Sequence, residues 1–307
     1  MNRKISAVLQ AKAIKEINEI PNRIEEDVKQ IRDWLSKEQH LKVQFDDDQI
    51  LGFLRGCKYS LESTKEKIDF HFTSRTLAPE FFHIRDPFAP EIQEIINAGI
   101  ILPLPKPDDK YGARIILWNF NNTNPDTMPY INLVTVFMMM LDIIVKEDDD
   151  ATISGITIWA DGTNCSAKYM FQMTPPLLMR NFQCVEKGYP LRIKGTYVTN
   201  CPVYLEILTN LIKSIMKSKI AQRMHVFSNI KDLYSVLPES LLPREFGGEN
   251  GTLENIKMEW KSKIESYRQW FLEDANFKSE KCFRYGEPNT IESTFGLDGS
   301  FRKLDFD

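Results

Sequence analysis

The stretch YPLRIKGTYVTNCP, residues 189–202, sets cations at alternate positions of an extended run: Arg192 and Lys194 fall between Leu191, Ile193 and Gly195. Successive side chains of a strand point to opposite faces. The alternation therefore puts both charges on one face and Leu191, Ile193 and Gly195 on the other. Further on, KSKIAQRMH places Lys219 and Arg223 four residues apart, a spacing that lets both lie on one helical face. Arg holds phosphate oxygens bidentately and Lys adds a point charge, so these cations gathered at one place would bind a polyphosphate. Scattered, they are ordinary solvated charge, and the spacing alone leaves both readings open.

No other residue set has the spacing of a catalytic or metal centre. The chain lacks a GxxxxGK loop and a GxSxG elbow, and no cysteine has an arginine six residues later. The histidines His40, His71, His83 and His225 form no HxxxH pair of the kind that holds zinc. The expectation is a protein that is not an enzyme, with no catalytic residue, no metal and no cofactor. Cys57, Cys165, Cys184, Cys201 and Cys282 are odd in number and widely spaced, which suits reduced thiols in the cytoplasm better than a disulfide framework. The opening MNRKISAVLQAKAIKEINEIP is broken by charge every few residues and has no signal-peptide core. No apolar run reaches the roughly 18 residues of a membrane span. A net charge of −4 argues against nucleic acid as a partner and requires any anion site to be a local patch.

The elements that must position the cations follow from periodicity. The 307 residues suffice for about two domains of about 150 residues. Residues 1–88 read as a helical N-terminal domain, with Ile24, Val28, Ile31, Trp34 and Leu35 at helical spacing. Asp46 to Asp48 and Ser60 are capping candidates for two further helices. Strand candidates Arg114–Asn119, Ile153–Ala160, Leu191–Thr199 and Arg223–Ser228 then alternate with helix candidates Leu133–Lys146, Pro175–Lys187 and Pro202–Lys217. That alternation predicts an α/β domain with a mostly parallel sheet over residues 89–252. Thr174-Pro175 offers a hydroxyl cap and a first-turn proline. Residues 253–307 read as one helix, Leu253 to Leu272, and an extended surface tail. In Pro202–Lys217, Tyr204, Ile207, Leu208, Leu211, Ile212 and Ile215 share one face, and Glu206, Thr209, Asn210 and Lys213 take the other. An ordinary core helix has the same pattern.

The segments DDQILGFLRGCKYSLESTKEKI (47–68), ITIWADGTNCSAKYMFQMTP (156–175), YPLRIKGTYVTNCP and LLPREFGGENGTLENI (241–256) resemble the CRAL-TRIO, or Sec14-like, lipid-binding family, especially its tocopherol and retinaldehyde carriers. The tail GLDGSFRKLDFD (296–307) is similar to the endings of arthropod members. The resemblance implies a β-sheet floor roofed by helices around a lipid cavity. It makes Pro202–Lys217 a mobile gate, with hinges at Asn200-Cys201-Pro202 and Lys217-Ser218.

Cavity walls must then be apolar. The candidates are Ile156, Ala160, Leu191 and Ile193 on the sheet, Phe137, Leu141, Met173 and Val185 on or beside helices, and Leu208, Leu211, Ile212 and Met216 on the gate. Phe137 and Leu141 stand where the tocopherol carriers place hydroxyl side chains. Met138, Met139 and Met140 offer either an adaptable lining or plain core packing. Arg192, Lys194, Lys219 and Arg223 match the phosphoinositide-binding cations of the tocopherol carriers. The function implied is cytosolic binding and transfer of a small hydrophobic lipid, a retinoid, carotenoid, tocopherol or related isoprenoid. The protein would be a monomer that releases its cargo during transient contact with phosphoinositide-containing membranes. A lipid-responsive adaptor for protein partners and a lipid-modifying enzyme are the alternatives.

Overall fold

The computed structural model describes residues 5–107, 112–216, 218–284 and 290–295. Lys217 and the tail segment 296–307 lie outside the described residues. The chain begins with helices α1 (Ala7–Ile17) and α2 (Ile24–Leu35), a short strand β1 (Leu41–Lys42), and helices α3 (Asp47–Gly56), α4 (Leu61–Leu77) and α5 (Pro90–Ala98). Asp46 accepts the Gln49 backbone N–H at 2.9 Å while the Gln49 side chain accepts the Asp46 N–H at 3.2 Å, a reciprocal cap that starts α3. Ser60 caps α4 through the Ser63 N–H.

An open sheet follows, built from β2 (Ile101–Pro103), β3 (Arg114–Asn119), β4 (Ile156–Asp161), β5 (Ile193–Thr199) and β6 (Met224–Phe227), in that spatial order. β2 pairs antiparallel with β3, and the remaining pairs are parallel. β2 escapes a sequence reading because it is short and ends on a proline, which an edge strand tolerates. The crossover helices are α6 (Tyr130–Glu147) and α7 (Asp149–Ser154) before β4, α8 (Lys168–Gln172) and α9 (Pro175–Gly188) before β5, and α10 (Val203–Ile215) and α11 (Ser218–Ala221) before β6. Thr174 precedes α9 but its hydroxyl makes no capping bond. Pro175 and Pro176 fill the first two helical positions and carry no N–H to be capped.

One face of the sheet, with Ile116, Trp118 and Ile156, joins the large core that holds α6 and α9. The other face, with Ile115, Leu117, Trp159 and Tyr197, packs on Leu233, Leu237, Leu242 and Ile256, which come from α12 (Ile230–Leu233), the segment after it and α13 (Leu253–Ser266). The single C-terminal helix read from the sequence is two: Tyr267, at φ −85 and ψ 5, separates α13 from α14 (Arg268–Asp274). Nor do the described residues beyond it simply lie extended on the surface. β7 (Lys278–Ser279) pairs with β1, and α15 (Ile291–Phe295) buries Phe295 completely, edge-on to Phe70 at 6.3 Å.

A buried ionic cluster ties these parts together. Arg75 of α4 donates to Asp274 of α14 at 2.7 Å, and Arg85 donates to both Asp274 and Asp142 of α6 at 2.7 Å. All four side chains are almost wholly enclosed. Among the described residues, no helix is long and apolar enough to cross a membrane.

Candidate functional site

Between the sheet and helices α6, α9 and α10 lies a cavity of about 190 Å³. Its sheet wall is Ile158 and Ala160 of β4 with Ile193, Thr196 and Val198 of β5. Trp118 and Phe137 meet edge-to-face at 5.0 Å and close one end. Met173, Leu178, Asn181 and Val185 supply the α9 side, and Leu208, Thr209, Ile212 and Met216 the roof. Of the expected wall residues, Phe137, Ala160, Met173, Val185, Ile193, Leu208, Ile212 and Met216 therefore line the space.

Leu141, Ile156, Leu191 and Leu211 do not. Ile156 shares the face of Ile158 and Ala160, but at the closed end of β4, where nothing of it is exposed. Leu141 is equally enclosed in α6, along with Met138, Met139 and Met140, which pack in the core and do not line this cavity. Leu211 packs partly buried against the core. Leu191 precedes β5 and borders a different recess.

The alternation also breaks. Ile156 faces Ile193, but the next residue of β4, Thr157, faces Gly195, so Lys194 is an extra residue in a bulge. Ile193, Thr196 and Val198 consequently line the cavity. Gly195 turns to the opposite face, where an added Cβ would meet the Tyr197 hydroxyl at 2.6 Å. A period of two cannot reveal an inserted residue. The roof helix is likewise rotated from its expected faces. Ile207 is 69% exposed, while Thr209 is buried and lines the cavity. On α8, Phe171 is 85% exposed.

Arg192, Lys194, Lys219 and Arg223 line one recess of about 600 Å³, joined there by Lys58 from the turn after α3, Lys67 of α4, Glu16 and Glu186. Lys219 lies in α11, and Arg223 falls just outside it, before β6. Ile193, Glu186 and Ile220 border both the recess and the apolar cavity. The cations differ in what they do there. The Arg192 guanidinium donates to the carbonyls of Arg55 (2.9 Å), Gly56 (3.0 Å), Thr152 (3.2 Å) and Ile153, the C-terminal ends of α3 and α7. Gly155 (φ +99) makes this approach possible, since a Cβ there would meet the Arg192 carbonyl at 2.2 Å. Arg223 donates to the Ile193 carbonyl at 2.6 Å. Burial, and then the neighbouring Arg192 charge, lower the pKa of Lys194 below its ordinary value; burial also lowers that of Arg192. Crowded cations of this kind are stabilised by an arriving anion.

Sequence reasoning missed Trp118, Tyr130, Ile158, Asn181, Thr196 and Val198 in the lining. Polar residues were set aside in a search for apolar walls, and the β5 pair depends on the bulge.

Residues 97–248 match the family described as CRAL/TRIO domain, and residues 20–92 match the one described as Pinta-like, UBA domain. Alpha-tocopherol transfer protein-like of Homo sapiens is 27% identical over 248 residues, covering 80% of this chain and 71% of its own. Clavesin-1 of Xenopus laevis is 26% identical over 235 residues, covering 76% and 70%. The solved structure titled "Crystal structure of Sfh5" superposes with a TM-score of 0.47 at 13% identity, over 85% of this chain and 98% of the other.

Proposed function

Residues 97–248 being a CRAL/TRIO domain, and the chain through them a member of that family, we propose that it binds one small hydrophobic lipid and transfers it to phosphoinositide-containing membranes. The cargo class is a retinoid, carotenoid, tocopherol or related isoprenoid, in keeping with the name of the tocopherol transfer relative. The carrier works in the cytoplasm as a monomer and touches membranes transiently. Its parts are a helical unit at 1–88, the lipid-binding unit at 89–252 and a C-terminal unit at 253–307.

The observation that carries the reading is the wall shared by an apolar cavity and a basic recess. Ligand pockets usually hold about 300–1,000 Å³. At about 190 Å³ the cavity is too small for a twenty-carbon lipid, so loading requires displacement of a wall. α10 is the wall with water behind it, at Ile207. A polyphosphorylated headgroup in the recess would contact α11 and Arg223, which follow α10 in the sequence. Bound more tightly when α10 is out, it would favour release.

The test is solvent extraction of the purified protein with mass spectrometry of the extract, then transfer between vesicles with and without phosphatidylinositol bisphosphate. The expected result is one lipid per chain, recovered chemically unchanged, and faster transfer to the phosphoinositide vesicles. An empty protein that transfers none of these lipids would refute the reading.

A further inference from the structure

The cavity wall is almost entirely hydrocarbon, yet two of its residues each carry a buried side-chain oxygen without a hydrogen-bond partner. They are Oδ1 of Asn181 and Oγ1 of Thr196. Both residues are more than nine-tenths buried, at 6% and 8% exposed. Leaving a buried polar atom unpaired costs about 1–3 kcal/mol. The other oxygen-bearing side chains of the lining, Glu186, Thr209 and Tyr130, have interactions of their own.

Resting on the carrier reading, we propose that the cavity selects a lipid bearing a hydroxyl group, and that Asn181 with Tyr130 receives that hydroxyl. The Asn181 amide Nδ2 donates to the Tyr130 hydroxyl oxygen at 2.7 Å. That bond uses the phenol as an acceptor and leaves its hydrogen to give. The pair therefore presents an acceptor, Asn181 Oδ1, and a donor, the Tyr130 O–H. A hydroxyl donates and accepts, so it satisfies both. A carbonyl only accepts and leaves Oδ1 unpaired, and a hydrocarbon leaves both. If the amide is turned over, its Nδ2 faces the cavity and a hydroxyl still pairs with it. Burial raises the Tyr130 pKa, which keeps the phenol protonated. Thr196, across on β5, is a second polar station, able to donate or accept.

The experiment measures displacement of Nile red by farnesol, farnesal and farnesene, which share a skeleton and differ at the terminal group. Geraniol and geranylgeraniol bracket the chain length. The variants are Asn181→Leu/Tyr130→Phe, which removes amide and phenol together and strands neither, and Thr196→Val. The double variant should lower the farnesol-to-farnesene affinity ratio about tenfold or more, equivalent to one lost buried hydrogen bond. Farnesene binding should persist, which reports that the cavity is intact. Thr196→Val should lower the ratio about threefold. A ratio unchanged in the double variant, or farnesal displacing Nile red from the parent as strongly as farnesol does, would overturn the hydroxyl assignment and leave the carrier reading standing. A parent that binds none of the five compounds overturns both.

Discussion

Helices α6 and α10 are both oily in sequence, but residues 133–145 of α6 are buried without interruption, while α10 sets buried Leu208 and Thr209 between exposed Ile207 and Asn210. α6 borders the cavity at Tyr130 and Phe137, is otherwise enclosed by protein, and is pinned by Asp142 in the ionic cluster. α10 has a cavity beneath it and water above. The difference teaches that a hydrophobic helix becomes a core or a movable wall according to what lies under it. Here the charges of the anchored half are held in ion pairs, Arg75 and Arg85 with Asp142 and Asp274.

The largest effect should come from cutting the anchor. Asp274 accepts from both Arg75 and Arg85, so Asp274→Ala leaves two buried guanidinium groups with the single carboxylate of Asp142. Breaking a buried pair costs about 3–5 kcal/mol. Urea unfolding should show that loss, and a variant as stable as the parent would mean the anchored half is not anchored by this cluster. Next, Leu208→Asp puts a carboxylate over the cavity, where burying it unpaired costs several kcal/mol. Loading should be abolished. The urea midpoint should move little, because α10 can turn the carboxylate to water. Met139→Asp, in enclosed α6, has no such escape and should give no folded protein. Equal stability losses for the two would erase the contrast between the helices.

A smaller effect separates the cations. Arg192 holds the carbonyl ends of α3 and α7, so Arg192→Met should lower stability by about 1–3 kcal/mol. Lys194→Glu/Lys219→Glu should leave lipid affinity in solution unchanged and remove the phosphoinositide-dependent part of vesicle transfer, since each cation near an anionic surface contributes about 1 kcal/mol. Equal transfer by parent and double variant at low salt would reduce the recess to solvated charge.

The sheet and its helices were legible because β3 and α9 carry their periodicity and their breakers in the sequence: Arg114–Asn119 agrees at both ends, and α9 begins at the predicted Pro175. The gathering of Arg192, Lys194, Lys219 and Arg223 in one recess was expected from alternation and resemblance together. What stayed hidden depends on distance rather than pattern. The bulge at Lys194 changes the face of every later residue of β5. Arg192 reads as an exposed cation until the carbonyls of two remote helices are brought to it. A search that asks only for apolar walls passes over Asn181, whose meaning lies in an unpaired oxygen. Phe295 sits in a polar, turn-rich tail that gives no sign of a buried ring.

The mildest probe of the anchored half is acid. His71 of α4 lies against the ionic cluster, with its Nε2 accepting from Arg75 at 2.9 Å and its Nδ1 donating to the Gly188 carbonyl at 3.1 Å. Tyr189 and Phe72 meet the ring edge-on, both at 5.0 Å. A proton on Nε2 would break the Arg75 bond and add a charge where none can be hydrated. Burial first, and then the Arg75 charge, hold its pKa well below the usual 6.5. The unfolded chain protonates this histidine near 6.5 and the folded chain does not, so below that pH the unfolded state binds more protons. The stability contribution is therefore complete above 6.5 and is lost as pH falls, by up to about 1.4 kcal/mol per pH unit for the single proton. Urea midpoints for the parent should drop from pH 7 to pH 5.5, and His71→Gln, which cannot take the proton, should show a shallower slope over the same interval. Of the two cysteines in the cavity lining, Cys165 has no matching liability: burial pushes it up to about 12, so it stays neutral throughout. Parallel slopes for parent and His71→Gln would show that the histidine does not couple the anchored half to pH.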